Sequence, residues 1–172
     1  MDTSTRTESE NLIDVLAGIK PGSELYDARR LRPEFVDGAE DCRKAVLTPK
    51  NGLGLAHPVR IALAARMARR IGCPDLAAAY EAMAVEVKTD HLLTAIATVS
   101  DLPDDADAFT VALVRHTDLV TERPRDNTQD DIEKLQSAGF SNPQIVALSE
   151  LIAFVNFEGR IIVGLSALDL VA

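Results

Sequence analysis

The chain is expected to be all-α, a helical bundle preceded by a helical arm, and three observations predict it. Apolar residues recur at helical spacing in several stretches, as Val59, Leu63, Met67 and Ile71 do. No stretch keeps the period-two alternation of a strand over more than a few residues. Helix start and stop signals bracket the periodic stretches, most completely in LQSAGFSNPQIVALSELIAFVNFEGRIIVGL at residues 135–165.

Residues 1–10 are polar and are expected to form a flexible tail. Leu12, Ile13, Val15, Leu16 and Ile19 make a short apolar patch that ends at Lys20-Pro21-Gly22-Ser23, a strong breaker. A second short helix is predicted over about 23–31. A third opens at Pro33, which suits a first helical turn, and runs towards Leu47. Thr48-Pro49-Lys50-Asn51-Gly52 is the best internal boundary. Residues 11–50 therefore read as an N-terminal helical arm that packs on a body of 51–172.

In the body, His57-Pro58 opens a helix that Gly72 ends, and Pro74-Asp75 starts the next, with Leu76, Tyr80, Met83 and Val87 on one stripe. A helix over about 89–99 follows and closes near Ser100-Asp101-Leu102-Pro103. Asp104, Asp105 and Asp107 crowd the start of another, where carboxylates interact well with the helix dipole. Its expected buried stripe is Phe109, Leu113, His116 and Val120. After a charged loop at 122–127, Thr128 with Asp131 begins a short helix, and Gly139 stands where a left-handed residue would stop it. Ser141 with Gln144 makes an S-x-x-Q capping box, and Phe140 is placed to staple onto Ile145. One continuous helix is then predicted from about 142 to at least 165. It is apolar on nearly every face, which predicts that protein wraps it. Glu150, Glu158, Arg160 and Asp169 interrupt it well short of the roughly 20 uncharged residues a bilayer requires, so no membrane span is expected.

At 172 residues, with 47% hydrophobic and 26% charged, the chain suits one soluble domain with a real core. Aromatics are only 4% and Trp is absent, so the core must be built from Ala, Leu, Val and Ile, which favours close helix packing. A net charge of −9 and a pI near 4.8 argue against a nucleic-acid surface, which needs clustered excess cations. Cys42 and Cys73 lie far apart and the N-terminal residues carry no apolar leader pattern. A cytoplasmic location with both thiols reduced is the expectation. The apolar helix and the arm patch together exceed what a small bundle easily hides, which predicts a homo-oligomer.

His57, His91 and His116 stand in no H-x-x-x-H or H-x-x-E-H pattern, so neither metal nor cofactor is expected. His57 reads as a helix cap. His91 beside Asp90 reads as a base or as helix-start chemistry. His116 is a candidate catalytic residue or a hydrogen-bonded core residue. Gly52-Leu53-Gly54 lacks the lysine of a phosphate loop and reads as a turn. Asn156 and Arg160, four apart in an otherwise apolar helix, are either an internal clamp or a pocket pair for a small carboxylated ligand, since a buried guanidinium must be paired. Glu150 and Glu158 are expected on another side, facing solvent or a subunit boundary. Arg29, Arg30 and Arg32 of the arm, and Arg60, Arg66, Arg69 and Arg70 of the body, are expected to pair with acidic loops or across a subunit contact, each pair contributing about 0–1 kcal/mol.

The order of short polar helix, A-G-F-S joint (residues 138–141) and buried helix with F-x-N-F-x-x-R (Phe154 to Arg160) resembles the C-terminal half of the alkylhydroperoxidase D/carboxymuconolactone decarboxylase superfamily. The likeness covers roughly 50–172 and implies an all-α bundle that assembles through helix faces. The arm segment LAGIKPGS (16–23), followed by Arg29 and Arg32-Pro33-Glu34, resembles a subgroup of carboxymuconolactone-decarboxylase-domain proteins that commonly lacks the cysteine pair. Superfamily peroxidases carry C-x-x-C-x-x-x-H at a helix start with a glutamate on the preceding helix. A thiolate at a helix N-terminus has a lowered pKa, a second cysteine resolves the oxidised one, and the glutamate and histidine relay protons. Matched to that pattern, Cys73 falls on the first cysteine, Leu76 on the second, Tyr80 on the histidine and Ile61 near the glutamate. Cys73 is thus a candidate catalytic thiol without a local resolving partner. Cys42 is either a remote partner or a small buried residue of the arm. Three classes follow: a non-peroxidatic binding or partner subunit, an enzyme on a small carboxylated or lactone-like substrate, and a residual thiol oxidoreductase using Cys73.

Overall fold

The computed structural model describes residues 11–84 and 91–169. Among these, nine α-helices and one 3-10 turn account for the regular structure, and no strand occurs. The arm holds α1 (Leu12–Leu16), α2 (Glu24–Arg30) and α3 (Pro33–Leu47). The body holds α4 (His57–Arg70), α5 (Pro74–Ala84), α6 (His91–Ala97), α7 (Ala108–Glu122), α8 (Gln129–Ser137) and α9 (Asn142–Asp169), with the 3-10 turn Pro124–Asp126 between α7 and α8. The expected tail at 1–10, Val87, and the helix start at Thr89 and Asp90 lie outside the described residues.

Local chemistry explains the boundaries. The Ser23 hydroxyl accepts from the Tyr26 N–H, the Asp107 carboxylate from the Thr110 N–H, and Thr128 with Asp131 closes a full capping box. Gly139, at φ +100°, ends α8: its N–H reaches the Gln136 carbonyl, and the Phe140 N–H reaches back to Leu135 at 3.1 Å. Gly72 ends α4 in the same way, with the Cys73 N–H on the Ala68 carbonyl at 2.9 Å. At the start of α9 the Gln144 carboxamide accepts from both the N–H and the hydroxyl of Ser141, at 2.8 and 2.9 Å. Phe140 and Ile145 are buried in one core, with Phe140 stacked flat on Phe109. Val99 ends α6 at φ +61°, a left-handed conformation that strains a β-branched residue.

The core forms around α4, which packs on α5, α6, α7, α9 and α3. Ala62, Ala64, Ala65 and Ala68 are buried along it, and these small side chains bring the neighbouring helices close. The arm lies on the body chiefly through α3 and α1 against α9.

Helix α9 corrects one expectation. It is not wrapped on every side: Val146, Phe157, Val163 and Leu168 are about half exposed, and all but Val163, which lies to one side, share one face with exposed Ala153 and Arg160. Its length and composition would suffice to cross a membrane. In the fold, however, it packs on α1, α3, α4, α7 and α8 and carries a charged residue inward.

Candidate functional site

That inward charge is Glu158. Spacing along α9 puts it on the same stripe as Leu151, Val155 and Ile162, all buried, and it is itself 0% exposed. The expectation that Glu158 faces solvent or a subunit boundary is therefore wrong. A carboxylate so placed needs charge and hydrogen-bond compensation. Arg43, on the buried face of α3, supplies it: its Nε donates to Glu158 Oε1 at 2.7 Å and its Nη2 donates to the same oxygen. The phenol of Tyr80, on α5, donates to Glu158 Oε2. Gly159 lies next to it, against the tip of the Ile71 side chain, which would have to move to admit a Cβ there.

The network continues through the arm. Arg43 Nη1 also holds Glu40, whose other oxygen accepts from the Asn11 side chain at 3.0 Å and from the Leu12 N–H. Asn11 caps α1 and takes a long bond from Arg29, and buried Asp14 holds Arg29 and Arg30 at 2.8 and 2.7 Å. A continuous polar network, its charged groups joined through the neutral Asn11 amide and ending on the Tyr80 phenol, thus runs from α2 through α1 and α3 to α9 and α5.

Cys73 stands beside it, the last residue of the three-residue joint between α4 and α5, 5% exposed. Burial pushes its thiol pKa up; the Leu76 backbone hydrogen bond pulls the other way, while Asp75 and Glu158 add to the rise. The lowering expected of a thiol at a helix start is outweighed. Burial, then the Glu158 charge, likewise raise the Tyr80 phenol, so it stays protonated and donating. Burial opposes the charge on Arg43, but its bonds to Glu40 and Glu158 prevail and hold it above the ordinary value. None of Arg43, Cys73, Tyr80 or Glu158 lines the depression beside His116.

The other sequence candidates are dispersed. Asn156 is buried, its amide donating to the Ile152 carbonyl at 3.0 Å while Oδ1 has no partner. Arg160 is exposed and, among the described residues, makes only a 3.4 Å bond to the Asn156 carbonyl. Its predicted burial fails because residues 153, 157, 160 and 164 recur at helical spacing on the outward face of α9. Cys42 is exposed, which corrects its reading as a buried residue, and both cysteines are free. His57 Nε2 meets the Pro49 carbonyl at 2.9 Å, tying the start of α4 to the preceding loop.

The basic helix also departs from expectation, since its partners are on helices and carbonyls rather than acidic loops. Arg66 makes a bidentate pair with Asp118 of α7, both contacts 2.7 Å, and Arg70 pairs with Asp118 and Glu122. Arg69 pairs with Glu81 of α5. Arg60 turns inward to three backbone carbonyls.

His116 is buried on α7 and lines a shallow depression with a cavity volume of only about 10 Å³, which also involves Arg115, Asp131 and Lys134. Its Nδ1 has no partner. Such a space is below the range of about 300–1,000 Å³ usual for small-molecule pockets. Burial lowers the His116 pKa below its ordinary value, with Asp131 opposing and Arg115 reinforcing. The unfolded chain therefore takes the proton first as pH falls. Stability associated with neutral His116 is full above about pH 6.5 and is lost as pH drops below it. His116→Leu should flatten the fall in melting temperature between pH 7.5 and 5. Asp131, held low by its Thr128 hydrogen bonds, loses its proton below that range and does not obscure the comparison. An unchanged acid slope in the variant would rule His116 out as its source.

No protein-family model and no curated protein matches the chain. Among solved structures, it is similar to an uncharacterised peroxidase-related protein from Silicibacter sp. TM1040, with a TM-score of 0.65 and 18% identity over 80% of this chain and 70% of that one. The likeness shows the fold, in keeping with the expected all-α alkylhydroperoxidase D-like bundle. Function has to be argued from the site.

Proposed function

We propose that this chain is a non-peroxidatic protein of alkylhydroperoxidase D-like fold, acting as an oligomeric binding or partner subunit. The observation that carries this reading is the closed Arg43–Glu158–Tyr80 network beside Cys73. Glu158 and Tyr80 are 0% exposed, and the neighbouring thiol is buried with a raised pKa. A peroxidatic thiol must meet its peroxide as a thiolate and then be resolved. Leu76 stands where a resolving cysteine would be needed, and Cys42 is exposed while Cys73 is buried. Two cysteines outside any disulfide accord with a reducing compartment such as the cytoplasm.

An enzyme acting on a small carboxylated or lactone-like substrate would need a histidine and a cation sharing one pocket. The His116 depression does set two cations, Arg115 and Lys134, beside the histidine, but both pair with Asp131 and the space is too small for such a substrate; Arg160 does not line it, so the Asn156/Arg160 pair gives that reading no support. For the residual thiol oxidoreductase, the juxtaposition of Cys73 with Glu158 is the one favourable observation, and the raised thiol pKa weighs against it.

The test is hydroperoxide consumption with dithiol donors, together with thiol titration of the native protein. Expected are no turnover above a Cys73→Ser control, rapid labelling of Cys42, and labelling of Cys73 only after denaturation. Turnover that disappears on Cys73→Ser would restore the thiol oxidoreductase.

A further inference from the structure

We infer that the outward face of α9 is the contact surface for a second copy of this chain, paired antiparallel about a two-fold axis that passes between Ala153 and Phe157, level with Val155. This deepens the oligomeric reading above by naming the face and its register. The exposed stripe runs Val146, Glu150, Ala153, Phe157, Arg160 and Gly164, within one side of the helix. Val146 and Phe157 are 57% and 46% exposed, so large apolar surface is left uncovered there. Only two of these six residues are charged, and they are of opposite sign.

Among the described residues neither charge has an ion-pair partner. Among the described residues Glu150 makes no ion pair, acting only through space on the inward Arg60. Arg160 meets only the backbone carbonyl of Asn156. The two lie equally far from Val155, one on either side. In an antiparallel pair centred there, Glu150 faces Arg160 of the second copy, and the symmetry repeats the contact. The same register sets Phe157 against Ala153 and Val146 against Gly164, a large residue against a small one each time. A slip of one turn would leave both charges facing apolar or small residues. Self-complementarity of this kind is what an isologous interface requires.

The size of the face fixes the strength expected. A helix of this length is about 40 Å long and about 10 Å wide, giving on the order of 400 Å² per copy, against about 800 Å² in a standard stable interface. The dimer is therefore concentration-dependent.

Sedimentation velocity over a series from low micromolar to several hundred micromolar tests this. The wild-type protein should pass from 18.6 kDa to twice that mass. Glu150→Arg and Arg160→Glu each convert two attractions into two repulsions and should raise the dissociation constant about 100-fold, the scale of a like-charge contact. The double variant E150R/R160E should restore dimerisation. At low concentration Arg160→Glu should keep the wild-type melting temperature, because Arg160 is solvent-facing, whereas both proteins carrying Glu150→Arg should melt lower by a similar amount, since they lose the favourable field on buried Arg60. A wild-type monomer throughout the series would overturn this inference and the oligomeric reading together, and its co-sedimentation with lipid vesicles would assign the face to a membrane surface. An oligomer insensitive to both reversals would overturn this face alone, and failure of the double variant to recover would overturn the register.

Discussion

Replacing Arg43 by methionine should destabilise the fold by about 3–5 kcal/mol, the range for removing one partner of a buried ion pair. Methionine roughly preserves length and apolar volume, so the loss is that of the guanidinium. It leaves Glu158 with no exposure and the Tyr80 phenol as its one remaining donor in the network. It also releases Glu40, which ties Asn11 and Leu12 to α3. The arm should therefore loosen along with the core, and limited proteolysis in the arm should accelerate more than in α7 or α8. The companion variant R43M/E158M removes both charges and should recover most of the loss, since a buried pair replaced by apolar residues is often close to neutral. Urea titrations of wild type, both single variants and the double give a coupling energy. A coupling near zero would mean that Arg43 and Glu158 are solvated independently and that no clamp joins arm to body.

The helix ends were legible because their determinants are local. Gly139, the Thr128–Asp131 box, Pro33 and Pro74 act within a few residues of themselves, and all four stand where the sequence places them. The site was legible only in part. Cys73 immediately precedes α5 and Tyr80 lies seven residues on within it, and helical spacing puts them on the same side. Arg43 and Glu158 are 115 residues apart, and nothing local distinguishes Arg43 from a solvated arginine on an amphipathic arm. Glu158 did leave a signal, because it falls on the Leu151–Val155–Ile162 stripe. The signal was obscured because the outward face of α9 is nearly as apolar as the inward one, so hydrophobicity could not tell the two apart. The same ambiguity made Arg160 look buried. The principle that a buried guanidinium must find carboxylate or carbonyl partners was sound, but it belonged to Arg43 and Arg60.

Arg60→Met should cost about 2–4 kcal/mol, from buried carbonyls left without a donor. The Arg60 side chain lies inside the joint between arm and body, 2% exposed. Its Nε donates to the Leu55 carbonyl at 2.9 Å, Nη1 to Val46 at 2.8 Å and Nη2 to Gly52 at 2.9 Å. The Val46 carbonyl lies in the last turn of α3, where helical carbonyls have no intrahelical partner. Leu55 and Gly52 belong to the connecting loop, so one side chain fastens the end of α3, the loop and the start of α4. Burial lowers the Arg60 pKa, with Glu150 opposing, yet a guanidinium remains charged throughout the physiological range. Methionine fills much of the same space without a donor. Lysine keeps the charge but cannot reproduce the planar fork, so Arg60→Lys should recover only part of the loss. The local readout is proteolysis within residues 48–56, which should speed up in Arg60→Met while cleavage in α7 follows global stability alone. If Arg60→Lys matched wild type in both urea midpoint and loop cleavage, the fork geometry would be irrelevant and a point charge would suffice to hold the joint.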